Sequence, residues 1–151
     1  MMMKLHEMLP IAKSLLDSQP NTQATLANAT AFLKETLSDI NWVGFYLYDG
    51  KALTVGPFQG KVACAYIPLG KGVCGEAAAA RSTMVVDDVH SHDNHIVCDA
   101  ASRSEAVVPI VIKNRLYGVL DVDSPSLARF DQETVAFLEA FVDLLTKSID
   151  I

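Results

Sequence analysis

The sequence has 151 residues, half of them hydrophobic and a fifth charged, which is typical of a globular domain with a full core. Its formal net charge of −6 argues against nucleic acid or an anionic membrane surface as a partner. The N-terminal segment lacks the features of a signal peptide, and no apolar run is long enough to cross a bilayer. We therefore expect a soluble, cytoplasmic protein that forms a single domain over residues 1–151.

Two helices are predicted in the first third of the chain. Apolar residues recur at helical spacing from Leu5 to Leu16, and Pro10 either kinks this helix or marks its start. Asn21 or Thr22 can cap a second helix, whose apolar stripe includes Leu26 and Leu37.

The apolar period then changes to two, which predicts strands. "WVGFYLYDGKALTV" predicts a β-hairpin, and its Asp49-Gly50 dipeptide suits a type I′ turn. A further strand is predicted from Val62 to Ile67. A glycine-punctuated loop then leads into a short alanine-rich helix, and "TMVV" predicts another brief strand.

A long polar connection is predicted from Asp87 to Ser104, and long ordered loops tend to be functional. "AVVPIVIKNRLYGVLDVDS" predicts a second hairpin that turns at Lys113-Asn114-Arg115, and Asp131 can cap a C-terminal helix. Helices at both ends of about six mostly antiparallel strands predict the α+β class.

Six segments carry a closer resemblance: "INWVGFYL", "GPFQGKVAC", "IPLGKGVCG", "HIVCDAASRSE", "VPIVIKNRLYGVLDVDS" and "RFDQE". In this order they closely resemble the free methionine-(R)-sulfoxide reductases, a family of single-domain GAF enzymes. The resemblance implies a six-stranded, mainly antiparallel sheet with the N- and C-terminal helices on one face and a ligand pocket on the other. It also implies reduction of the free oxidised amino acid without a cofactor, with thioredoxin as the reductant, and leaves a homodimer open.

The chain departs from this family at two positions. The family usually has an aromatic residue and a glycine ahead of the "HI.CD" motif, where this chain has His92 and Asn94. Asn adopts positive φ more readily than most residues, so a turn can still form there. The departure therefore bears on the mobility of the loop.

Three cysteines, Cys64, Cys74 and Cys98, could simply be buried and inert thiols, as is usual in a reducing cytosol. The resemblance implies instead that Cys98 attacks the sulfoxide sulfur, becomes a sulfenic acid and forms a disulfide with Cys64 or Cys74. Thioredoxin would then restore the dithiol by exchange. We favour Cys64 as the first resolving residue, because a predicted strand fixes its position whereas Cys74 lies in a predicted mobile loop.

Acidic residues surround the Cys98 motif, an unhelpful setting for a thiolate unless a cationic substrate compensates their charge. Asp121 and Asp123 lie two apart on a predicted strand, so both face the side opposite the core residues Leu120 and Val122. They could mark a solvated strand end or cap the following turn. The resemblance implies that they bind an ammonium group together with Glu105, and that one protonated acid donates to the sulfoxide oxygen.

Trp42 and Tyr46 lie four residues apart on one face of the first predicted strand. The resemblance implies that they form a pocket wall, and the alternative is ordinary core packing. The glycine-rich "LGKGVCG" segment could supply backbone amides for the carboxylate of a substrate.

Two rival functions remain to be weighed. His90, His92 and His95 could gather a zinc ion with the cysteines, but their spacing matches no structural zinc pattern, so we expect no metal site. The chain could also be a non-catalytic GAF sensor that binds a small ligand. Such modules usually sit in longer chains, and three motif-matched cysteines have no role in one.

Overall fold

The computed structural model describes residues 4–96, 98 and 100–149. Val97 and Asp99 of the cysteine motif therefore lie outside the described residues. The α-helices of the described part are α1 (Leu9–Asp17), α2 (Thr22–Thr36), α3 (Gly72–Ala80) and α4 (Gln132–Ser148). Its strands are β1 (Trp42–Tyr48), β2 (Ala52–Gln59), β3 (Tyr66–Pro68), β4 (Met84–Val86), β5 (Ser104–Ile112) and β6 (Arg115–Ser124). Two short 3₁₀ helices span Leu5–Met8 and Val89–Ser91.

The six strands form one sheet in the order β3-β2-β1-β6-β5-β4. Every neighbouring pair in this sheet is antiparallel. The predicted α+β class and the predicted antiparallel sheet are confirmed. None of the helices in the described ranges combines the length and the apolar character needed to span a membrane.

The sheet has a different core on each face. Helices α1, α2 and α4 cover one face, where Leu120, Val122 and Phe141 are among the fully buried residues. Helix α3 packs on the other face, against Val107 and Val119. Since neighbouring residues on a strand point to opposite faces, β6 directs its aspartates to the α3 face, as predicted.

The helix starts follow the predicted capping residues. Pro10 occupies the first turn of α1 and so begins that helix rather than kinking it. Asn21, not Thr22, caps α2, because its side chain accepts a hydrogen bond of 2.9 Å from the amide of Ala24. Asp131 caps α4 in the same way.

The type I′ turn is at the second hairpin and not at the first. Gly50 has a φ of 99°, but Asp49 keeps a negative φ and its side chain accepts hydrogen bonds from the amides of Lys51 and Ala52. The aspartate thus makes a local side-chain turn in place of the predicted one. Lys113 and Asn114, with φ values of 52° and 63°, form the two-residue I′ connection between β5 and β6.

The predicted strand from Val62 to Ile67 is wrong over residues 62–65, because the strand begins at Tyr66. Only β3 is a strand, and Cys64 lies in the irregular segment ahead of it. The chain leaves the sheet at Gly60, whose φ of 144° suits glycine and which packs against the indole of Trp42. The indole N–H of Trp42 donates a hydrogen bond to the backbone carbonyl of Lys61, a residue that lies outside β2 and β3.

Cys74 was expected in a mobile loop and instead lies in the first turn of α3. The glycine-rich segment forms the entry to this helix, since the amide of Gly70 donates to the carbonyl of Gly75 and the amide of Lys71 donates to that of Pro68. These bonds fix the segment. Cys74 is buried, with an exposed fraction of 4%.

Candidate active site

A pocket opens on the α3 face of the sheet, between β1, β5 and β6. The segment ahead of β3 and the loop between β4 and β5 complete its wall, and the cavity has a volume of about 40 Å³. Seven of the predicted site residues line it: Trp42, Tyr46, Cys74, Cys98, Glu105, Asp121 and Asp123. The structure thus brings together side chains that are spread over more than half of the chain.

Sequence reasoning missed several smaller contributors to the pocket. Ala63 and Ile67 come from the segment that carries Cys64, and Ile96 and Ser102 come from the loop that carries Cys98. Ser102 also accepts a hydrogen bond of 3.0 Å from the side chain of Asn41. The loop residues fall inside the "HIVCDAASRSE" motif, and that position is the signal which could have identified them.

The three acids form one cluster because β5 and β6 pair in register. Glu105 on β5 lies directly opposite Asp123 on β6. Asp121 lies two residues before Asp123, on the same face of β6. Their exposed fractions are 7% for Glu105, 5% for Asp121 and 9% for Asp123. The alternative of a solvated strand end is therefore wrong.

Burial dominates the electrostatics of this cluster. It raises the pKa of Glu105 well above the usual value, and the charge of Asp121 raises it further. Burial likewise raises the pKa of Asp121, with the charge of Asp123 as the next cause. The raised pKa values favour the protonated forms of these two carboxyl groups.

The cluster is built to receive a cation. None of the described residues that line the pocket is a lysine or an arginine. Within the described part of the chain, Oδ1 of Asp121 is buried without a hydrogen-bond partner. An unpaired buried acceptor is costly, so a bound donor with a positive charge would stabilise this arrangement.

Cys74 lies against the acids and is a poor nucleophile. Its Sγ is 3.9 Å from Oε2 of Glu105. Burial raises the pKa of the thiol well above the usual value, and the charges of Asp121, Glu105 and Asp123 add to the effect. The thiol is therefore protonated at neutral pH.

Among the described residues, the group with the separations of a metal site is Cys74, Glu105 and Asp121, whose ligand atoms lie within 4.8 Å of one another. No described histidine belongs to this group. His95 lines the pocket on its own, and its pKa is lowered by burial and by His90 and His92.

Cys64 and Cys98 form a disulfide. Their Cα atoms are 5.3 Å apart, and 34 residues separate them in the sequence. Cys74 is the free cysteine of the chain and is buried. The bonded pair is the one favoured from the sequence, although the reason given there, a strand position for Cys64, is wrong.

Trp42 and Tyr46 serve as both wall and support. Their rings stack with centroids 5.7 Å apart, and Trp42 also stacks on Phe58 at 5.1 Å. The indole Nε1 donates to the carbonyl of Lys61 at 3.1 Å, and the hydroxyl of Tyr46 donates to the carbonyl of Cys64 at 3.0 Å. Burial raises the pKa of Tyr46, which keeps the hydroxyl protonated as a donor.

Comparison with known proteins places this pocket in a wider context. Residues 21–149 match the family described as the GAF domain. The chain is 50% identical over 134 residues to free methionine-R-sulfoxide reductase from Escherichia coli strain K12, covering 89% of this chain and 81% of that protein. It is 41% identical over 152 residues to free methionine-R-sulfoxide reductase from Saccharomyces cerevisiae, covering 95% of this chain and 84% of that protein.

A solved structure is similar over nearly the whole chain. The X-ray structure of free methionine-R-sulfoxide reductase from Neisseria meningitidis in complex with its substrate superimposes with a TM-score of 0.91 at 44% identity. The match covers 95% of this chain and 87% of that chain.

Proposed function

We propose that this chain, which belongs to the GAF domain family and within it to the free methionine-R-sulfoxide reductases, reduces free methionine (R)-S-oxide to methionine. The observation that carries the proposal is a pocket in which three buried carboxyl groups accompany Cys98, a cysteine that forms a disulfide. The free amino acid brings an ammonium group for the acids and a sulfoxide for the thiol.

The acids would recognise the ammonium group. Glu105, Asp121 and Asp123 offer acceptors from a cluster in which burial raises the pKa of Glu105 and of Asp121. An entering ammonium compensates negative charge and allows further ionisation, which strengthens its three N–H hydrogen bonds. A carboxyl that stays protonated can donate to the sulfoxide oxygen as the bond to sulfur breaks.

Cys98 would carry out the redox step. Its Sγ attacks the sulfoxide, the oxygen passes to cysteine, and methionine leaves as the reduced product with Cys98 as a sulfenic acid. The thiol of Cys64 then attacks this sulfur, water leaves, and the disulfide forms. A dithiol reductant returns both cysteines to thiols and is itself oxidised, which balances the two electrons taken up by the substrate.

The physiological reductant and the assembly are further parts of the proposal. We expect thioredoxin to supply the dithiol and residues 1–151 to act as a single GAF domain, and the resemblance leaves a homodimer open. Thioredoxin-coupled NADPH consumption tests the reductant, and light scattering of the eluted protein tests the homodimer.

A stereochemical assay tests the main proposal. The purified chain is mixed with racemic free methionine sulfoxide and dithiothreitol, and the two epimers are separated and counted over time. The R epimer should disappear while the S epimer remains. A GAF sensor without catalytic activity would leave both epimers untouched, and that result would overturn the proposal.

A blocked substrate provides the matched control. N-acetylated and amidated methionine sulfoxide lacks both charges that the pocket is expected to bind. It should therefore be turned over very poorly, and turnover equal to that of the free amino acid would contradict the assigned role of the acids.

A further inference from the structure

The loop that carries Cys98 is tied to α3 through one carboxylate. Glu76 of α3 lies 3.0 Å and 3.1 Å from Nε2 of His92 through its two oxygens. Its Oε1 also accepts a hydrogen bond of 2.8 Å from Nδ2 of Asn94. We call Glu76, His92 and Asn94 the loop latch.

The hydrogen bonds of the latch are mutually consistent. The carboxylate only accepts, so the imidazole carries its proton on Nε2. The second N–H of the Asn94 amide donates to the carbonyl of Gly70 at 2.7 Å, so both of its donor hydrogens are used. The side chains of His92 and Glu76 are 22% and 25% exposed, which shields their contact partly from water.

In the resemblance described under Sequence analysis, His92 and Asn94 are the two positions at which this chain departs from the pattern ahead of Cys98. The departure thus supplies both donors to Glu76. The pocket chemistry itself makes no use of these side chains, since neither lines the cavity.

The latch fixes the path of the loop into the pocket. Two residues after Asn94, Ile96 packs on the first residue of α3, where a Cβ on Gly72 would meet its Cγ1 at 3.2 Å. Ile96 and Cys98 both line the cavity. The latch therefore acts on the segment that places Cys98 beside Cys64.

We propose that Glu76, His92 and Asn94 are positioning residues that hold the chain ahead of Cys98 on α3 and so raise the effective concentration of the Cys98 thiol at Cys64. The inference rests on the proposed function for the role of this cysteine pair. A loop held in place loses less freedom when the disulfide forms, so the latch shifts the equilibrium from dithiol to disulfide.

The equilibrium constant of the disulfide tests this proposal without any sulfoxide. The full chain is equilibrated in mixtures of reduced and oxidised dithiothreitol, and the Cys64–Cys98 linkage is quantified by mass mapping. Loss of these charge-assisted bonds in Glu76→Ala should lower the constant about fivefold, which corresponds to about 20 mV. Asn94→Ala should lower it in the same direction.

Three further variants separate positioning from a general loss of structure. Glu76→Gln should keep most of the wild-type constant, because the amide oxygen still accepts from Asn94. Glu139→Ala is the matched control, since it removes a helix carboxylate that accepts from Thr83 away from the pocket. The double variant of Glu76→Ala with Asn94→Ala should shift the constant by less than the sum of the two single changes, because both of them remove the bond between Glu76 and Asn94.

A disulfide equilibrium constant within twofold of wild type in both Glu76→Ala and Asn94→Ala would overturn the positioning role proposed for the loop latch. Circular dichroism of the reduced variants checks that they fold. If Glu76→Ala does not fold, the constant of Asn94→Ala is the deciding measurement. Because no substrate is present, a shifted constant in a chain that fails to reduce methionine sulfoxide would refute the proposed function and leave the latch standing.

Discussion

The hydroxyl of Tyr46 donates a hydrogen bond of 3.0 Å to the carbonyl oxygen of Cys64. An aromatic residue of the pocket wall therefore also holds the backbone of a disulfide-bonded cysteine. Trp42 makes the equivalent bond to Lys61, so two side chains of β1 support the irregular segment ahead of β3. The position of Cys64 depends on these side chains more than on its own secondary structure.

Tyr46→Phe should slow the formation of the Cys64–Cys98 disulfide about twofold to tenfold. The ring still stacks on Trp42, but the Cys64 segment loses a hydrogen bond of ordinary strength. The measurement is the lifetime of the sulfenic acid, trapped with dimedone after one equivalent of substrate. Tyr48→Phe, at the end of the same strand, is the control, and equal lifetimes in the two variants would contradict the prediction.

Cys98→Ser should abolish turnover even with excess dithiothreitol. An external thiol can reduce a sulfenic acid but cannot replace a nucleophile held in the pocket. The assay is consumption of free methionine (R)-S-oxide under conditions in which the wild type is saturated. Full activity in this variant would move the nucleophile to Cys64 or Cys74.

The two remaining cysteines should differ in their response to the reductant. Cys64→Ser should keep turnover with dithiothreitol but lose most of the thioredoxin-supported rate, whereas Cys74→Ser should keep more of that rate. Cys74 is buried with a raised pKa, which makes it slow to attack. Mass mapping within seconds of one equivalent of substrate gives the first linkage, and a predominant Cys74–Cys98 bond would reverse the assignment.

Glu105→Gln and Asp123→Asn should each lower kcat/KM about tenfold to a hundredfold. Each change keeps the shape and removes a charge-assisted hydrogen bond, which contributes about 1.5–3 kcal/mol. Steady-state kinetics with the free substrate measure the loss. Asp49→Asn, in the exposed turn of the first hairpin, should leave kcat/KM unchanged. A kcat/KM equal to that of the wild type in both Glu105→Gln and Asp123→Asn would contradict the role of these acids in binding the substrate.

Asp121 should make the stability of the empty protein fall with rising pH. Burial raises its pKa, so the folded chain keeps a proton that the unfolded chain releases above about pH 4. The free energy of unfolding then declines by up to about 1.4 kcal/mol per pH unit for that proton, until the pH passes the pKa of the folded state. Asp121→Asn removes this group and should flatten the decline that begins above about pH 4.

Urea unfolding of the reduced protein at four pH values measures this slope. Asp49→Asn is again the control, because hydrogen bonds from the amides of Ala52 and Lys51 lower the pKa of Asp49. That carboxylate is ionised in both states over this pH range and adds nothing to the slope. Identical slopes for wild type and Asp121→Asn would show that Asp121 is not the group that holds the proton in the folded chain.

The acids were predictable because their placement follows from a local rule. The period of two on β6 and the pairing of one hairpin are enough to bring Asp121 and Asp123 to the face opposite Leu120. The environment of Cys64 was not predictable in this way. It depends on side-chain bonds from Trp42 and Tyr46, which are 19 and 18 residues from their acceptors, and periodicity carries no information on such contacts.

The turns show the same limit on a smaller scale. Asp49-Gly50 has the composition of a type I′ turn, yet the Asp49 side chain bonds to the backbone and selects another conformation. Lys113-Asn114 adopts the I′ geometry with a weaker composition, because the long register of β5 and β6 leaves two residues to close the hairpin. The pairing of β5 with β6 therefore sets the turn at Lys113-Asn114, and the side chain of Asp49 sets the turn between β1 and β2.

The disulfide joins chain segments that belong to opposite edges of the sheet. Cys64 precedes the edge strand β3, and Cys98 follows the edge strand β4. Closing a loop over a sequence separation of 34 residues restricts the unfolded chain by an amount worth about 4 kcal/mol. The disulfide form should therefore unfold less often, and be cleaved by proteases more slowly, than the reduced dithiol form. The supply of reducing equivalents would then set the lifetime of this protein in a cell as well as its rate of turnover.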